Sequence, residues 1–487
     1  MLVETLLASA ERGAGRPAVA DPMQAFDYGG LVRFADVMRN QIASVTNCPR
    51  VGLMMPSSCG FAATLYGILW AGRTAVPLNF LLQPAEIAAV VADAGIDTIV
   101  GVKHFAPLLD GLPVNAVYLE DVPVAKEMRA SRAIAPAPQT AKDDLAVLLY
   151  TSGTSGAPKG VCLTQGSLHF DVTACVEYAK LREGHKFLGI LPLFHTFGIT
   201  AMLLVPMAIG ASAYYMPRFT PGSIVSTIRE QQSSVIMMVA SLYAAILRGK
   251  TGGPEDFHSV EYPISGGEAL PMAVHAAFKE RFNIDILQGY GMTESSPVVS
   301  LNVPWAHRLG TVGQALPGVT VRAFDDDSRE LPAAGVGELW IKGPTLMAGY
   351  YRKEAETRAA ITPEGWYKSG DMGKVDADGY ITITGRKKEM IIVGGENVYP
   401  REIEAALESH PAVAESAVVG QLDESRGEVV VAFVILREGQ AVTDMALRDH
   451  CRQHVANYKV PRRVVIAEQL PRGPTGKILK RKLTEML

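Results

Sequence analysis

The chain has 487 residues, more than a single hydrophobic core supports, so two or more domains are expected. Its formal net charge is only −4 and its basic residues are scattered, which argues against nucleic acid or an anionic membrane surface as a partner. Five cysteines, an odd number without metal-ligand spacing, predict a reducing cytoplasmic location, no disulfide and no structural zinc.

The first sixteen residues place Glu4 ahead of a short apolar run, which predicts an amphipathic helix and not a signal peptide. Apolar runs then alternate with helical segments, a pattern typical of parallel sheets with crossover helices. The predicted strands and helices are 51–55 and 61–71, 98–102, 146–150 and 167–178, and 187–191 and 197–209. The uncharged run 199–216 is interrupted by Pro206 and Gly210, so a buried helix and strand explain it better than a membrane span.

From about residue 308 the pattern changes to alternating strands punctuated by glycine, which predicts a small antiparallel or barrel-like subdomain. These strands are 319–324, 337–341 and 380–384. Gly385 is followed by four charged residues, as a hinge between rigid bodies needs. Beyond it, helices at 400–409 and 444–455 and strands at 413–419, 429–436 and 463–466 predict a compact α+β unit that fits a mobile lid. The predicted domains are therefore residues 1–385 and 386–487, with the hinge near 386–388.

The most informative motif is YTSGTSGAPKG at 150–160, directly after the apolar run 145–149. It concentrates backbone N–H groups, hydroxyls and one lysine in a small volume, which is what a polyphosphate needs. It is not a Walker A loop, because the second glycine would fall on Pro158 and Lys159 is followed by Gly160. A Gly/Ser/Thr-rich surface linker is the alternative for this loop taken alone.

Further motifs follow in chain order: LPLFHTFG at 191–198, ISGGEAL at 264–270, QGYGMTE at 288–294, GELWIKGP at 337–344, GWYKSGD at 365–371, GRKKEMIIVGGENVYPREIE at 385–404 and PRGPTGKILKR at 471–481. With the 150–160 loop, this set resembles the adenylate-forming superfamily, and within it the AMP-dependent acyl-CoA synthetases. The resemblance runs from about residue 25 to the end. It implies an α/β fold: a large N-terminal domain of parallel α/β sheets with a small β-barrel-like subdomain, and a small mobile α+β C-terminal domain. It also implies ATP and coenzyme A as co-substrates and Mg²⁺ as cofactor.

The resemblance implies a role for individual residues. The expected phosphate-binding residues are Thr151, Ser152, Gly153, Thr154, Ser155 and Lys159, with Thr293 at the α-phosphate and Glu294 at Mg²⁺. The expected contacts of the adenosine part are Gly266, Gly267, Glu268, Gln288, Tyr290, Asp371, Arg386 and Gly395. Tyr290 would stack on the base and Asp371 would accept both ribose hydroxyls.

Three further roles concern catalysis and motion. Lys477 is expected to enter the site during adenylation and spread the developing negative charge. His195 is expected to separate the carboxylate site from the channel of the arriving thiol, and Lys388 to be the hinge. Taken alone, Asp371 could cap a turn, His195 could be a core histidine, and Lys477 could be a solvated surface charge. The neighbouring Lys387 competes with Lys388 for the hinge position.

The segments expected to line the acid pocket are 197–201, 237–243, 264–265 and 292–297, and they contain no Arg or Lys. Their apolar side chains are Phe197, Ile199, Met237, Met238, Val239, Tyr243 and Met292. A second carboxylate or an ammonium group on the substrate would lack a partner there, since Glu294 is already assigned to the metal. An apolar monocarboxylic acid is therefore favoured, and the flexible methionines suit an alkyl chain without excluding an aryl acid.

The sequence thus predicts an acyl-CoA ligase for a small-molecule carboxylic acid, most simply a fatty acid. One alternative is an acyl- or aryl-AMP ligase that loads a carrier protein. The other is a non-enzymatic nucleotide-binding protein, which is disfavoured because Lys159, Glu294 and Lys477 are all present. A homodimer is left open.

Overall fold

The computed structural model describes residues 1–130, 133–152, 158–249, 251–394, 396–423, 427–472 and 478–487. Through residue 315, apolar strands alternate with helices as predicted. The strands are β1 Pro17–Ala20, β2 Ala25–Asp27, β3 Arg50–Met54, β4 Thr74–Pro77, β5 Thr98–Gly101, β6 Asn115–Tyr118, β7 Leu145–Ser152, β8 Pro158–Thr164, β9 Lys186–Gly189, β10 Ser212–Tyr215, β11 Val235–Met238, β12 Tyr262–Ser265, β13 Leu287–Gly291, β14 Val298–Leu301 and β15 Gln314–Ala315. The helices are α1 Leu2–Arg12, α2 Tyr28–Val45, α3 Cys59–Trp70, α4 Pro84–Ala94, α5 Val124–Arg129, α6 Gln165–Tyr178, α7 Thr196–Ile199, α8 Val205–Ile209, α9 Pro221–Gln231, α10 Ala240–Arg248 and α11 Met272–Phe282.

The next segment contains the predicted antiparallel strands. Its elements are β16 Thr320–Phe324, β17 Gly337–Lys342, β18 Gly349–Tyr350, α12 Glu354–Ala360, β19 Tyr367–Val375 and β20 Ile381–Arg386. Strands β16, β17, β19 and β20 form an antiparallel sheet in that order, whereas β18 joins the edge of a larger sheet beside β8. The glycine punctuation therefore marks a real change of architecture.

Two mainly parallel sheets form the larger body in the part of the chain that the structure describes. One has the order β15–β14–β13–β12–β11–β9–β10–β1–β2 and the other β18–β8–β7–β4–β3–β5–β6. Strands such as β4, β11 and β12 are buried at every position, as expected for parallel sheets that are covered on both faces. The carboxyl ends of parallel strands are where ligands bind in such sheets. Strand β12 ends just before Gly266 and β13 just before Met292, so the predicted motifs lie at that edge.

The uncharged run 199–216 is also explained by burial. It forms α7, a π-helical turn at Thr200–Leu204, α8 and strand β10, most of it inside the largest hydrophobic core. No helix among the described residues combines the length and the apolar character that crossing a bilayer requires.

The C-terminal elements form a separate small sheet with its own apolar clusters. They are β21 Ile391–Val393, β22 Glu396–Val398, α13 Pro400–Glu408, β23 Val413–Asp423, β24 Gly427–Leu436, α14 Asp444–His454, β25 Arg463–Ile466 and α15 Lys480–Thr484. The α/β fold with a smaller C-terminal domain is therefore confirmed. Strand β20 continues to Arg386 and is followed by a 3₁₀ turn at Lys387–Glu389, while the exact division at 385 to 386 stays a prediction.

Candidate functional site

The turn that carries Thr293 and Glu294 is fixed by hydrogen bonds that its backbone carbonyls accept from distant residues. It is a short 3₁₀ turn between β13 and β14. The Met347 N–H donates to the Glu294 carbonyl at 2.8 Å, and the Thr200 hydroxyl donates to the Ser296 carbonyl at 2.8 Å. Because these contacts come from distant parts of the chain, they fix the turn relative to both parallel sheets.

A tyrosine connects the carboxylate expected at the metal with the lysine expected at the phosphates. The Tyr350 hydroxyl donates to Oε1 of Glu294 at 2.9 Å, and Nζ of Lys159 lies 5.4 Å from the centre of the Tyr350 ring. Burial and the neighbouring Glu294 carboxylate raise the pKa of Tyr350, so its hydroxyl stays protonated and can donate. The structure thus brings Lys159 and Glu294 together through a residue that the motifs did not single out.

The rest of the phosphate loop is described in part. Thr151, near the end of β7, pairs in register with Lys159 on β8, and the backbone of Ser152 pairs with Pro158. The predicted residues Gly153, Thr154, Ser155, Gly395 and Lys477 lie outside the described residues. Their roles stay predictions.

Lys159 already has a carboxylate partner in this structure. Its ammonium group forms a close ion pair with Glu356 of α12, which lowers the pKa of Glu356. The Glu356 side chain is 38% exposed, so water screens much of this attraction. A polyphosphate that engages Lys159 would have to share or displace this partner.

We therefore expect Glu356→Gln to lower the apparent KM for ATP. Exposed ion pairs are worth at most about 1 kcal/mol, which limits the change to roughly fivefold. Glu354→Gln is the matched control, because Glu354 lies in the same helix and pairs with Arg358 instead. Initial rates at varied ATP concentration measure the effect. An unchanged or higher KM in the Glu356 variant would show that this carboxylate does not compete with the nucleotide.

Asp371, expected at the ribose, lies at the centre of a second cluster. It is 3% exposed, accepts a hydrogen bond from the Tyr290 hydroxyl at 2.6 Å and forms an ion pair with Nε of Arg386 at 2.6 Å. Burial and the Asp371 carboxylate raise the pKa of Tyr290, so the phenol remains the donor. The structure therefore brings together three residues predicted to contact adenosine, and a turn-capping role for Asp371 does not explain these contacts.

An open cleft of about 340 Å³ adjoins this cluster. Its lining residues are Ser369, Gly370, Arg386, Lys387 and Lys388. Cationic groups at the cleft and a buried carboxylate beside it suit a ligand that carries both phosphate and ribose hydroxyls.

We expect Asp371→Ala to raise the apparent KM for ATP far more than that for the acid. A hydrogen bond to a charged group is worth about 1.5–3 kcal/mol, or roughly one to two orders of magnitude in affinity. Asp378→Ala is the control, since this exposed carboxylate in the same hairpin pairs with Arg308. Unchanged ATP binding in isothermal titration of the Asp371 variant would contradict the ribose assignment.

The glycine pair after β12 lies where the predicted nucleotide and acid sites meet. Gly267 has φ of +78°, a conformation that favours glycine. A Cβ placed on Gly266 would lie 2.9 Å from Cε1 of Phe197, so the aromatic ring packs directly on the glycine. Gly266, which is predicted to contact adenosine, and Phe197, which is predicted to line the acid pocket, are therefore in direct contact.

Two other residues predicted to bind adenosine, Glu268 and Gln288, make contacts within the N-terminal domain. A carboxylate oxygen of Glu268 accepts from the Ser241 N–H at 3.0 Å at the start of α10, where a negative charge is favourable. Gln288 is buried on β13 and pairs in register with Ser265 of β12. Both lie at the edge that carries Gly266, and their contact with a nucleotide stays a prediction.

His195 directly precedes α7 and is half-buried, with its ring 4.7 Å from that of Phe194. Phe197 follows two residues later and is partly exposed. His195 therefore lies two residues before the ring that packs on Gly266. Its role between the acid and the thiol channel stays a prediction.

The predicted acid pocket needs a correction. Met238 and Tyr243 are fully buried in the hydrophobic core, and the Tyr243 hydroxyl donates to the Ile264 carbonyl at 3.1 Å. Ile199 is also a core residue. Partly exposed apolar side chains in the predicted segments include Phe197, Val239 and Met292. The pattern of apolar residues alone did not distinguish the core face of each segment from the cleft face.

The hinge segment is anchored to the N-terminal body by Lys387. Its ammonium group contacts Oε2 of Glu338 at 3.2 Å and Oδ1 of Asp326 at 3.0 Å. These contacts raise the pKa of Lys387 and keep it charged. They favour Lys388 over Lys387 as the hinge, because Lys387 is tied to one body, and the hinge role of Lys388 stays a prediction.

On the other side, the segment is anchored to the lid. Nζ of Lys480 contacts Oε2 of Glu389 at 3.2 Å and Oε1 of Glu404 at 2.8 Å. Lys388 stands exposed between the two anchors.

The residues present fit a magnesium ion that a nucleotide brings with it. The described residues contain no cluster of three or more acidic, histidine or cysteine ligands for a metal. Mg²⁺ commonly uses one or two carboxylates together with substrate phosphates and water, so it does not require such a cluster. Glu294, fixed by Tyr350 beside Lys159, is the suitable carboxylate.

Known proteins that match this chain along nearly its whole length are acid–CoA ligases, as the motifs predicted. Residues 6–351 match the family model described as AMP-binding enzyme, and residues 402–477 match the AMP-binding enzyme C-terminal domain. A sulfoacetate–CoA ligase from Cupriavidus necator is 33% identical, covering 95% of this chain and 93% of that protein. A long-chain-fatty-acid–CoA ligase from Bacillus subtilis is 31% identical, covering 94% and 90%. The crystal structure of the anthranilate CoA ligase AuaEII with anthranoyl-AMP matches with a TM-score of 0.92 at 29% identity, covering 100% of this chain and 96% of that one.

Proposed function

Because this chain belongs to the family of adenylate-forming acid–CoA ligases, we propose that it joins an apolar monocarboxylic acid, most simply a fatty acid, to coenzyme A. In the first step, a carboxylate oxygen of the acid attacks the α-phosphorus of ATP, and pyrophosphate leaves. In the second step, the thiolate of coenzyme A attacks the acyl carbon of the adenylate, and AMP leaves with the electron pair. The thiol proton is released.

The observation that carries this proposal is that residues predicted to bind a nucleotide form two clusters with the chemistry that phosphate and ribose require. Lys159 and Glu294, joined by Tyr350, supply a cation and a carboxylate, and Asp371 with Tyr290 and Arg386 supplies a ribose acceptor. Preorganised charges of this kind stabilise a transition state without reorganising at the moment of reaction.

Individual residues then have the following roles. Lys159 and Thr151 hold the β- and γ-phosphates, and Thr293 donates to the α-phosphate. Mg²⁺, when bound beside Glu294, neutralises phosphate charge. Lys477 stabilises the charge that develops during adenylation, and His195 separates the acid from the thiol.

The apolar acid is supported by the composition of the predicted pocket segments. They contain no Arg or Lys that could pair with a second anion, such as the sulfonate of sulfoacetate. Partly exposed apolar side chains in these segments include Phe197, Val239, Leu242 and Met292. The named relatives use acids as different as sulfoacetate, long-chain fatty acids and anthranilate, so the acid has to be argued from this chain.

A cytoplasmic location is part of the proposal. All five cysteines carry free thiols, which suits a reducing compartment.

Single-turnover assays test the proposal with a panel of alkyl, aryl, dicarboxylic, sulfonated and amino acids. Pyrophosphate release reports the first step, and thioester formation reports the second. We expect the highest kcat/KM for alkyl monocarboxylic acids, with coenzyme A as the acceptor. Preference for a charged acid would contradict the apolar pocket. Preference for a phosphopantetheinylated carrier protein over coenzyme A would favour the carrier-loading alternative.

A further inference from the structure

A carboxyl group is buried behind the turn that carries Thr293 and Glu294. Asp171, in the middle of α6, is 0% exposed. Its Oδ1 lies 2.9 Å from the hydroxyl oxygen of Thr345, and its Oδ2 accepts a long hydrogen bond of 3.4 Å from the Val298 N–H. Thr345 is also fully buried. A carboxyl on the buried face of a helix needs an explanation, since its burial is unfavourable unless its hydrogen bonds are satisfied.

The Thr345 hydroxyl cannot donate to both of its acceptors at the same time. The Thr345 oxygen closely contacts two acceptors, Oδ1 of Asp171 and the carbonyl oxygen of Ser295, and the carbonyl is the nearer one. A threonine hydroxyl carries a single hydrogen, and a backbone carbonyl can only accept. If Thr345 donates to Ser295, the contact with Asp171 lacks a hydrogen unless the carboxyl supplies it.

We propose that Asp171 is held as the neutral acid and acts as a positioning residue for Thr293 and Glu294. The acid donates its hydrogen to the Thr345 oxygen, and Thr345 donates its own to the Ser295 carbonyl. This chain fixes the residue that directly follows Glu294. The catalytic consequence rests on the proposed function, because it assigns Thr293 and Glu294 to the nucleotide and the metal.

The surroundings of Asp171 agree with a neutral acid. Burial raises its pKa well above the ordinary range, and the contacts with the Thr345 oxygen and the Val298 N–H offset this only in part. Cys175, one turn along α6, is the titratable neighbour, and it is itself buried with a raised pKa. Among the described residues, no cation contributes to the electrostatic surroundings of Asp171.

Four variants separate a neutral acid from a carboxylate. In Asp171→Asn, the amide N–H can donate to Thr345 and the amide oxygen can accept from Val298, so the complete chain is kept. Thr345→Ser also keeps it, whereas Asp171→Ala and Thr345→Val break it. Loss of a buried hydrogen bond should lower kcat of pyrophosphate release by about tenfold to a hundredfold in the last two. We expect KM for ATP to change little, because Lys159 and Asp371 remain in place.

Asp171→Asn and Thr345→Ser should stay within about twofold of the wild-type kcat. If Asp171→Asn loses as much activity as Asp171→Ala, the negative charge is needed and the proposal is wrong. The same conclusion follows if all four variants retain full kcat, because the chain then positions nothing.

Infrared difference spectroscopy of the wild type against Asp171→Asn tests the proton without any assay of activity. We expect the carbonyl stretch of a carboxylic acid at neutral pH, and a carboxylate pair of bands in its place would overturn the proposal. Should no acid release pyrophosphate, the proposed function fails while this spectrum still decides the state of Asp171. It also remains decisive if the alanine variant does not fold.

Stability provides a second readout of the proton. An aspartate has a pKa of about 3.9 in an unfolded chain, and here the folded value is higher. The stabilisation from the neutral acid is therefore complete below about pH 4 and is lost as the pH rises towards the folded pKa. Denaturant titrations should show the wild type losing stability relative to Asp171→Asn as the pH rises above about 4. A constant difference would contradict a neutral Asp171.

Discussion

Lys388→Pro should leave acyl-adenylate formation close to the wild-type rate and nearly abolish thioester formation. Proline fixes φ near roughly −65° and biases the preceding residue towards extended geometry. The anchors on either side sharpen this expectation. Lys387 is tied to Glu338 in the N-terminal body, and Glu389 is tied to Lys480 in the lid, so the proposed rotation between the bodies would be concentrated in the torsions of Lys388.

Lys388→Ala is the matched control, because it removes the side chain and leaves the backbone free. Pyrophosphate release without thiol measures adenylation, and conversion of supplied acyl-AMP to acyl-CoA measures the second step. We expect the alanine variant to retain both. Equal retention of both steps in the proline variant would remove the domain-alternation hypothesis for this protein.

Lys477→Ala should lower acyl-adenylate formation by about a hundredfold to a thousandfold, the usual cost of losing one group that stabilises a developing charge. Conversion of supplied acyl-AMP should remain largely intact, because we propose that the two steps use opposite faces of the lid. Both flanks of the lysine are fixed to the lid: Arg472 pairs with Glu415, and Lys480 with Glu404. Removing the Lys477 side chain should therefore change the chemistry and not the fold.

Lys482→Ala serves as the control, since this lysine in α15 is exposed. It should keep both half-reactions. Equal loss of both steps in a folded Lys477→Ala protein would show that the lysine is structural or that the lid does not alternate.

The sequence predicted those features of the fold and site that depend on local pattern. Buried runs such as 51–55 and 98–102 became strands within a residue or two, because a strand buried on both faces must be apolar throughout. Asp371 and Arg386 were both predicted at the nucleotide, and the hairpin of β19 and β20 pairs them directly. When motif residues lie on two paired strands, the register of the strands brings their side chains together.

Contacts between distant segments could not be predicted in this way. Tyr350 meets Glu294 across 56 positions of the chain, and Asp171 meets Thr345 across 174. Tyr350 belongs to the short edge strand β18, whose two residues have no periodicity to recognise. Tyr243 was predicted to line the acid pocket and instead lies in a hydrophobic core, because the apolar pattern of α10 does not show which neighbours its side chains meet.

The contact between Phe197 and Gly266 ties the choice of substrate to its activation. A substitution that enlarges the acid pocket by shortening Phe197 removes the ring that packs on Gly266, and the backbone expected beneath the adenine loses its support. Variants selected for bulkier acids should therefore bind ATP more weakly, unless a second substitution restores the packing on Gly266. In this chain, a wider range of accepted acids would come with a lower affinity for ATP, because both depend on the contact between Phe197 and Gly266.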